Sequence, residues 1–303
     1  MKVIAPAYYK DFACIASACR HSCCIGWEVD IDDESNQRYA DMRHPYAAKI
    51  RDSIEGEPPH FRLSDGERCP HLDASGLCRI ITECGEESLC QICTDHPRYR
   101  SFYDGVVELG LGLSCEEATR LVFDSDGGFL VSDSENMSGA EYRESYPQDL
   151  FSEEDLGIVE QKARLISIVS DRSKTIDERI ELVLPKCPDS EEIKALYLSL
   201  DILDPEWEKR VKALSAEDFD RDFAEYSVLM ERSISALIYR HVSCESFYEP
   251  RTVGAFAALS ALLAAVLSKS REDFSDTIRA YSAEVEYSTE NTDIILDFIE
   301  ERL

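Results

Sequence analysis

The second half of the chain repeats apolar residues at intervals of three and four positions, which is the spacing of an amphipathic α-helix. The segment DLGIVEQKARLISIVS shows this pattern, and similar segments follow as far as ENTDIILDFIEERL at the C-terminus. One of them, VGAFAALSALLAAVL at 253–267, is apolar on every face, which is typical of a helix buried in a protein core. The pattern predicts an all-α helical domain over residues 153–303.

The first 125 residues show no long helical periodicity and are interrupted by turn-forming stretches such as EGEPPH and SDGERCP. They predict short helices and loops, with a small β element at VVELGLGL, residues 106–113. Residues 126–152 are polar and rich in glycine and serine, which predicts a polar linker or a hairpin. The expected fold is mainly α, with a cysteine-rich, metal-binding N-terminal domain at 1–125, the linker or hairpin, and the helical domain.

The charge of the chain narrows its range of partners. The 303 residues carry a formal net charge of -29, from 61 acidic and 32 basic side chains. Such a charge repels nucleic acids and anionic membranes and is compatible with a lysine-bearing protein partner. The N-terminal MKVIAPAYYKDF has no apolar signal region, and the longest apolar run is shorter than the roughly 20 residues of a membrane span. We therefore expect a cytoplasmic protein that binds neither nucleic acid nor membrane.

The cysteines are concentrated in the first part of the chain, where ten of the 12 lie between Cys14 and Cys115. In a reducing compartment, clustered cysteines indicate metal or redox chemistry rather than disulfides. Their spacing is C-x4-C-x3-C-C from Cys14 and C-x8-C-x5-C-x5-C-x2-C from Cys69. Thiolates favour zinc, copper(I) and iron–sulfur clusters, and the spacing leaves open one site or two.

Two familiar cofactor motifs are missing. Cys19 and Cys23 match the first part of the C-x3-C-x2-C motif of radical S-adenosylmethionine enzymes, but Gly26 occupies the third cysteine position. GLGL at 110–113 lacks the third glycine and the helix start of a dinucleotide-binding fingerprint. A Rossmann-type methyl-donor site is therefore not indicated.

Several strings together carry a family resemblance: PAYYKDFACIASACRHSCCIGWEVDID, CPHLDASGLCRI, ESLCQICTDHPR and LSCEEATRL. They resemble the flagellin lysine N-methylases, and their cysteine core is similar to a broader group of zinc- or iron-chelating proteins. IYRH at 238–241 and EYSTEN at 286–291 resemble parts of the same family's helical half. His96 and Glu116 depart from the family pattern, and Cys84 does not match a family cysteine. The metal ligands that the resemblance implies are Cys14, Cys19, Cys23, Cys24, Cys69, Cys78, Cys90, Cys93 and Cys115.

The resemblance also implies an activity. It implies a protein lysine N-methyltransferase that uses S-adenosylmethionine to methylate flagellin, or another lysine-bearing protein, and that holds a 4Fe-4S cluster, with zinc as the alternative metal. By family analogy, Arg240, His241, Glu286 and Asn291 line the donor pocket. Two other readings of the cysteines stay open, namely a non-enzymatic zinc- or iron-binding protein and an iron–sulfur redox protein.

Methyl transfer to lysine also requires a proton acceptor. A lysine with a pKa of about 10.4 is almost entirely protonated at neutral pH, and its ammonium form cannot attack a methyl group. A neighbouring base or desolvation must therefore supply the free amine. The candidate bases are His21, His71, His96, Tyr8 and Tyr9.

Overall fold

The computed structural model describes all 303 residues and divides the chain into two compact units. The discontinuous unit consists of Met1–Phe12 and Tyr99–Leu303, and the cysteine-rich unit consists of Ala13–Arg98. These bounds differ from the division at residue 125 that the composition predicts. The reason is that residues 99–125 supply strands and a helix to the discontinuous unit.

The discontinuous unit contains most of the regular structure. With elements numbered in chain order along the whole protein, its strands are β1 (Lys2–Pro6), β4 (Arg98–Tyr103), β5 (Val106–Leu111), β6 (Phe129–Ser132) and β7 (Glu141–Arg143). Its helices are α5 (Glu116–Asp124), α6 (Leu156–Val169), α7 (Ile176–Val183), α8 (Ser190–Leu198), α9 (Pro205–Lys212), α10 (Ala216–Phe219), α11 (Ser227–His241), α12 (Pro250–Leu267), α13 (Phe274–Tyr281) and α14 (Thr289–Glu300). From α6 onward every regular element is a helix, as the periodicity predicts.

The five strands form one sheet in the order β4-β5-β1-β6-β7. The central strand β1 runs parallel to β5, with Lys2 opposite Val106, and antiparallel to β6. The strand predicted from VVELGLGL is confirmed as β5, whose six residues are all buried. The segment predicted as a linker or hairpin contains the antiparallel pair β6 and β7. The β part of the protein is therefore larger than predicted, although the fold is mainly α.

Helix α12 is the central element of the helical half. It packs against α11, α13, α14 and α6. Its 18 residues have a mean hydropathy of 1.6, high enough for a membrane span, but 83% of them are buried inside the protein. The small side chains of Ala255, Ala257 and Ala258 are fully buried, which lets neighbouring helices approach on several sides. The apolar segment 253–267 is therefore the buried core helix that its pattern predicts.

A buried ion pair joins the sheet to the helices. Lys162 on α6 and Glu108 on β5 have fully buried side chains, and Lys162 Nζ lies 2.5 Å from Glu108 Oε2. Lys162 also donates to the Tyr103 hydroxyl at 2.9 Å, and Tyr146 donates its hydroxyl proton to the other Glu108 oxygen. The ring of Tyr239 lies 5.2 Å from the ammonium group. Every charged atom of the pair is therefore satisfied within the protein.

The cysteine-rich unit is built from short elements. They are α1 (Asp33–Asp41), α2 (Ala47–Asp52), β2 (Ile54–Glu55), β3 (His60–Phe61), α3 (Arg79–Cys84) and α4 (Gln91–Asp95). Strands β2 and β3 form a two-stranded antiparallel sheet. One hydrophobic core holds these elements together, and it includes Val29, Ile31, Tyr39, Tyr46, Ile50, Phe61 and Ile80.

Candidate functional site

Six cysteines of the cysteine-rich unit lie against its hydrophobic core. Cys69 and Cys90 are buried in it, and Cys24, Cys78, Cys84 and Cys93 are partly buried against it. The charges on Cys24 and Cys90 raise the pKa of Cys69, so these thiols lie close together. We call the five that match predicted ligands, all except Cys84, the thiol cluster.

Backbone hydrogen bonds hold the segments that carry the thiol cluster. The Cys69 N–H donates to the Cys24 carbonyl at 2.8 Å, which joins the paired-cysteine segment to the CPHL segment. Cys78 and Cys90 lie immediately before the short helices α3 and α4, and Cys93 lies in the first turn of α4. Cysteines that are far apart in sequence are thus brought to one core by three chain segments.

Helix α1 positions the start of α4. The Asp32 carboxylate accepts the Ser35 N–H at the start of α1 and the Gln91 N–H at the start of α4, each at 2.9 Å. The Tyr39 hydroxyl donates to the Ser88 carbonyl at 2.9 Å. These contacts fix the chain that leads into the C-x2-C pair.

Some cysteines of the thiol cluster have surroundings that favour the thiolate, and others have surroundings that favour the protonated thiol. A hydrogen bond with Cys93 lowers the pKa of Cys90, and the same hydrogen bond raises the pKa of Cys93. A hydrogen bond with the preceding cysteine lowers the pKa of Cys24 to about 7. Burial raises the pKa of Cys69 to about 12 and also raises that of Cys78. Cys24 and Cys90 are therefore the thiols of the cluster that ionise most readily.

The structure contains no group of three or more His, Cys, Asp or Glu side chains arranged to hold a metal ion. The donor set nevertheless suits a soft metal, because six cysteine sulfur atoms lie against one core. Four cysteines are the usual ligands of a 4Fe-4S cluster and of a structural zinc ion. Cys24, Cys69, Cys78, Cys90 and Cys93 fit either group by their chemistry, and their assignment as ligands stays a prediction.

The four other predicted ligands are not among the cysteines that pack against this core. Cys14 and Cys23 are exposed and Cys19 is partly buried, on a loop that contains the 3-10 turn Ala16–Ala18. Cys115 belongs to the discontinuous unit, where it precedes α5. The assignment of these four residues as ligands stays a prediction.

Cys84 was left out of the predicted set, yet it packs against the same core. Its Sγ lies 3.3 Å from His44 Nδ1, which also accepts the Tyr46 N–H at 3.1 Å. Because that nitrogen accepts a backbone proton, the Cys84 thiol is the donor to it. Burial and the charge of Glu83 raise the pKa of Cys84, which agrees with a protonated thiol. Since 40 residues separate Cys84 and His44, no local pattern in the sequence predicts their contact.

His71, one of the predicted bases, is a structural residue. Its Nδ1 lies 3.0 Å from the Tyr46 hydroxyl and its Nε2 lies 2.9 Å from the Ser53 hydroxyl. Burial lowers the pKa of His71 to about 4, so the ring is neutral at physiological pH. Burial raises the pKa of Tyr8, which disfavours a tyrosinate base at that position. Neither residue has the environment of a proton acceptor for lysine.

The other predicted bases lie in separate places. His96 follows α4, with its ring centroid 6.0 Å from that of Trp27. His21 is partly buried on the loop before the paired cysteines. Tyr9 lies in the discontinuous unit on the 3-10 turn Ala7–Asp11. The roles of these three residues as bases stay predictions.

A second polar cluster lies in the discontinuous unit at the end of α11. Its centre is Glu286, whose side chain is 1% exposed and which ends the π-helical turn Ser282–Glu286. One carboxylate oxygen lies 3.0 Å from Arg240 Nη1 and 3.0 Å from His241 Nε2. The Ser282 hydroxyl donates to the other oxygen. A single buried carboxylate thus fixes an arginine and a histidine.

Aromatic rings enclose the Arg240 guanidinium, and two glycines make room for them. The ring centroids of Tyr99 and Tyr287 lie 5.1 and 4.4 Å from the guanidinium carbon. A Cβ on Gly110 would lie 2.2 Å from the Tyr99 hydroxyl, and one on Gly112 would lie 2.1 Å from the Tyr287 hydroxyl. GLGL is therefore explained by close approach of these rings. We call Arg240, His241, Glu286, Tyr99 and Tyr287 the arginine–histidine cluster.

Comparison with known proteins gives a limited set of relatives. Lysine-N-methylases of Salmonella choleraesuis and Salmonella typhimurium are each 29% identical to this chain over 142 residues. The Flagellar biosynthetic protein FliU of Salmonella muenchen is 27% identical over 147 residues. These relatives support the resemblance to the flagellin lysine N-methylases. No protein-family model and no solved structure matches the chain.

The match to the lysine-N-methylases is partial. It covers 43% of this chain and 35% of each relative, so this chain spans about a third of the length of those proteins. The match to FliU covers 45% of this chain and 85% of that protein. The relationship therefore concerns part of the chain, and the activity of the whole is a matter for proposal.

The resemblance to the flagellin lysine N-methylases singled out four residues of the helical half. Three of them, Arg240, His241 and Glu286, converge in the arginine–histidine cluster. Asn291 is used differently, because its amide donates to the Asp201 carbonyl at 2.8 Å and accepts the Asp201 N–H at 2.9 Å. Asn291 thus ties the end of α8 to the start of α14.

Glu286 is expected to make the stability of the protein depend on pH below 5. Burial alone would raise its pKa, but Arg240, His241 and Ser282 outweigh burial and lower the pKa to about 2. A carboxylate with a depressed pKa contributes stability above its unfolded pKa, and this contribution is lost as the pH falls toward the folded value. The unfolding free energy of the wild type relative to Glu286→Gln should therefore fall by about 2 kcal/mol between pH 5 and pH 3.

Chemical denaturation at several pH values measures this difference. Glu160→Gln, which changes an exposed glutamate on α6, is the matched control and should follow the wild type. If the unfolding free energies of the wild type and Glu286→Gln change by the same amount between pH 5 and pH 3, the Glu286 carboxylate is not held ionised by its partners.

Proposed function

We propose that this protein is a lysine N-methyltransferase that transfers a methyl group from S-adenosylmethionine to a lysine of flagellin, and that the thiol cluster holds a 4Fe-4S cluster. The observation that carries the proposal is the similarity to relatives named Lysine-N-methylase and Flagellar biosynthetic protein FliU. The cysteine strings on which the resemblance rests supply all five members of the thiol cluster.

The thiol cluster supports the metal part of the proposal. Four of its five sulfur atoms are enough for a 4Fe-4S cluster or for a zinc ion, and its position against a hydrophobic core excludes water from part of the site. When bound, a 4Fe-4S cluster would supply an iron centre held by cysteine sulfur. The protein's own task is to hold the sulfur ligands in place, through α1, the CPHL segment and the first turn of α4.

The chemistry of methyl transfer sets the requirement for the rest of the site. The lone pair of the neutral lysine Nζ attacks the methyl carbon, the carbon–sulfur bond breaks, and the sulfur keeps the bonding electrons. At pH 7 only about one lysine in 2,500 carries that lone pair, because its ordinary pKa is about 10.4. A residue that accepts the ammonium proton therefore raises the rate. The net charge of -29 favours the approach of a lysine-bearing protein.

Two measurements on protein purified without oxygen test the proposal. The first is the content of iron, zinc and acid-labile sulfide, and the second is methyl transfer from S-adenosylmethionine to flagellin, followed by mass spectrometry of flagellin peptides. We expect iron and sulfide in similar amounts and methylated lysine in the peptides. Flagellin incubated with heat-denatured protein is the control.

Other results would replace the proposal with one of its rivals. Zinc without sulfide, together with no methyl transfer, would indicate a structural or chelating metal protein. Iron and sulfide with a reversible redox signal, but no methylated lysine, would indicate an electron-transfer protein. Methylated lysine in protein that contains no metal would keep the enzyme and remove the cluster from its mechanism.

A further inference from the structure

His241 has the geometry of an oriented general base. Its Nε2 lies 3.0 Å from Glu286 Oε1, and the Glu286 carboxylate is buried and ionised through its other partners. A carboxylate accepts hydrogen bonds, so the Nε2 atom carries the proton of this bond. The neutral ring therefore has its lone pair on Nδ1, which makes no hydrogen bond within the protein. The side chain is 20% exposed, so solvent reaches the ring.

The surroundings hold the His241 ring in one orientation. The ring of Phe256 on α12 meets it edge-on, with the centroids 5.6 Å apart. The charged groups beside it are Glu286 on the π-helical turn and Arg240 on its own helix, and these two offset each other. His241 is the last residue of α11, so its ring lies at the carboxyl end of that helix. Contacts from α12 and from the π-helical turn therefore hold the ring from two sides.

The contrast with His71 shows why this arrangement matters. Both ring nitrogens of His71 are engaged by the Tyr46 and Ser53 hydroxyls inside the core. That histidine has neither a carboxylate partner nor access to solvent. His241 combines a fixed, buried carboxylate on one nitrogen with an open second nitrogen, which is the arrangement of a histidine base with an orienting acid.

The cluster lies at the carboxyl end of strand β5, which runs parallel to the central strand β1. Gly112 directly follows β5 at this end, and its missing side chain leaves space for Arg240 and Tyr287. Tyr287 is 41% exposed, which offers part of its ring to a cationic group from solvent. The π-helical turn beside it is an irregularity frequently found at functional sites.

We propose that His241 Nδ1 accepts the proton of the substrate lysine ammonium, and that Glu286 is the residue that positions the His241 ring. This inference rests on the proposed methyltransferase function. The proton passes from lysine Nζ to Nδ1, the freed lone pair of Nζ attacks the sulfonium methyl, and the sulfur leaves with the electrons of the broken bond. The resulting imidazolium is stabilised by Glu286 and releases its proton to solvent.

The pH dependence of the variant His241→Gln distinguishes a base from a structural residue. At pH 7 we expect methyl transfer to flagellin to fall about 100-fold, because general-base catalysis typically contributes factors of this size. Raising the pH deprotonates lysine without help, so the deficit should shrink by about tenfold for each pH unit up to pH 9. A deficit that stayed constant with pH would indicate a structural role and would overturn the inference.

Three further variants complete the experiment. His60→Gln changes a histidine whose partner, Glu28, is largely exposed, and it should leave the rate unchanged. Glu286→Gln should lower kcat while KM for flagellin stays within about twofold, since positioning acts on the proton transfer rather than on binding. His241→Ala should regain activity when imidazole is added to the buffer. Circular dichroism confirms that each variant is folded.

The result for the wild type separates the two proposals. If the wild type transfers methyl groups and His241→Gln does so at an undiminished rate at pH 7, only the role of His241 is overturned. Absence of methyl transfer by the metal-loaded wild type would overturn the proposed function, and with it the role of His241.

Discussion

Replacement of Cys90 by serine is expected to abolish almost completely the metal binding proposed for the thiol cluster. Cys90 is the most deeply buried member of the thiol cluster, at 1% exposed, and its hydrogen bond with Cys93 favours the thiolate that a metal requires. Serine preserves the shape of the side chain, but its hydroxyl is a poor ligand for zinc or iron–sulfur. Iron, zinc and sulfide content should fall to background in the purified variant, and methyl transfer should fall with it.

The controls for this experiment come from the same chain. Cys187→Ser changes an exposed cysteine of the discontinuous unit and should keep the full metal content. Cys84→Ser tests a thiol that bonds His44 and that the resemblance leaves out. Retention of metal by Cys84→Ser together with loss by Cys90→Ser would assign the site to the thiol cluster. Full metal content in Cys90→Ser would assign the thiol cluster a packing role.

Glu108→Gln is expected to destabilise the discontinuous unit by about 3–5 kcal/mol, the cost of leaving one member of a buried ion pair without its partner. Lys162 has no access to solvent, and its ammonium group relies on Glu108 at 2.5 Å. Burial lowers the pKa of Lys162, and the Glu108 carboxylate opposes that effect. With a neutral amide in place of the carboxylate, Lys162 keeps its contacts with Tyr103 and Tyr239 but loses the negative charge that offsets its desolvation.

Urea unfolding measured by tryptophan fluorescence tests this prediction for one unit at a time. The two tryptophans are Trp27 in the cysteine-rich unit and Trp207 in the discontinuous unit. In a Trp27→Phe background, the fluorescence of Trp207 therefore reports on the discontinuous unit. Adding Lys162→Met to Glu108→Gln should recover a large part of the lost stability, because it removes the unpaired charge. A loss below about 1 kcal/mol for Glu108→Gln would show that water or another group replaces the carboxylate.

Local patterns in the sequence were sufficient for the helical half and for one strand. The three- and four-residue spacing after residue 153 corresponds to α6–α14, and the apolar segment 253–267 corresponds to the buried α12. VVELGLGL is confirmed as β5 because its continuous apolar character is that of a strand buried on both faces. In each case the buried residues form a hydrophobic pattern within the element, so that segment alone is enough to predict it.

The parts that were not predicted depend on contacts between distant residues. Strand β1 is only five residues long, and its partners β5 and β6 lie beyond residue 100. Composition grouped residues 99–125 with the cysteines through Cys115, whereas pairing in the sheet places them in the discontinuous unit. No local pattern contains information about a parallel partner so far along the chain.

The same distinction applies to the two candidate sites. The cysteine strings contain the five members of the thiol cluster, and their assignment as metal ligands stays a prediction. The bond between Cys84 and His44 joins residues 40 positions apart, and the bond between His241 and Glu286 joins residues 45 apart. IYRH and EYSTEN indicated His241 and Glu286 only through the family resemblance. The geometry that orients His241 comes from the fold.

The pairing of β1 with β5 has a consequence for the order in which the protein is made. The ribosome completes β1 first, but Val106, which lies opposite Lys2, is synthesised roughly 100 residues later, or about 5–20 seconds at usual translation rates. The whole cysteine-rich unit is synthesised during that interval. Strand β1 therefore stays without its sheet partners until all residues of that unit have been made, so the sheet cannot form before synthesis of the cysteine-rich unit is complete.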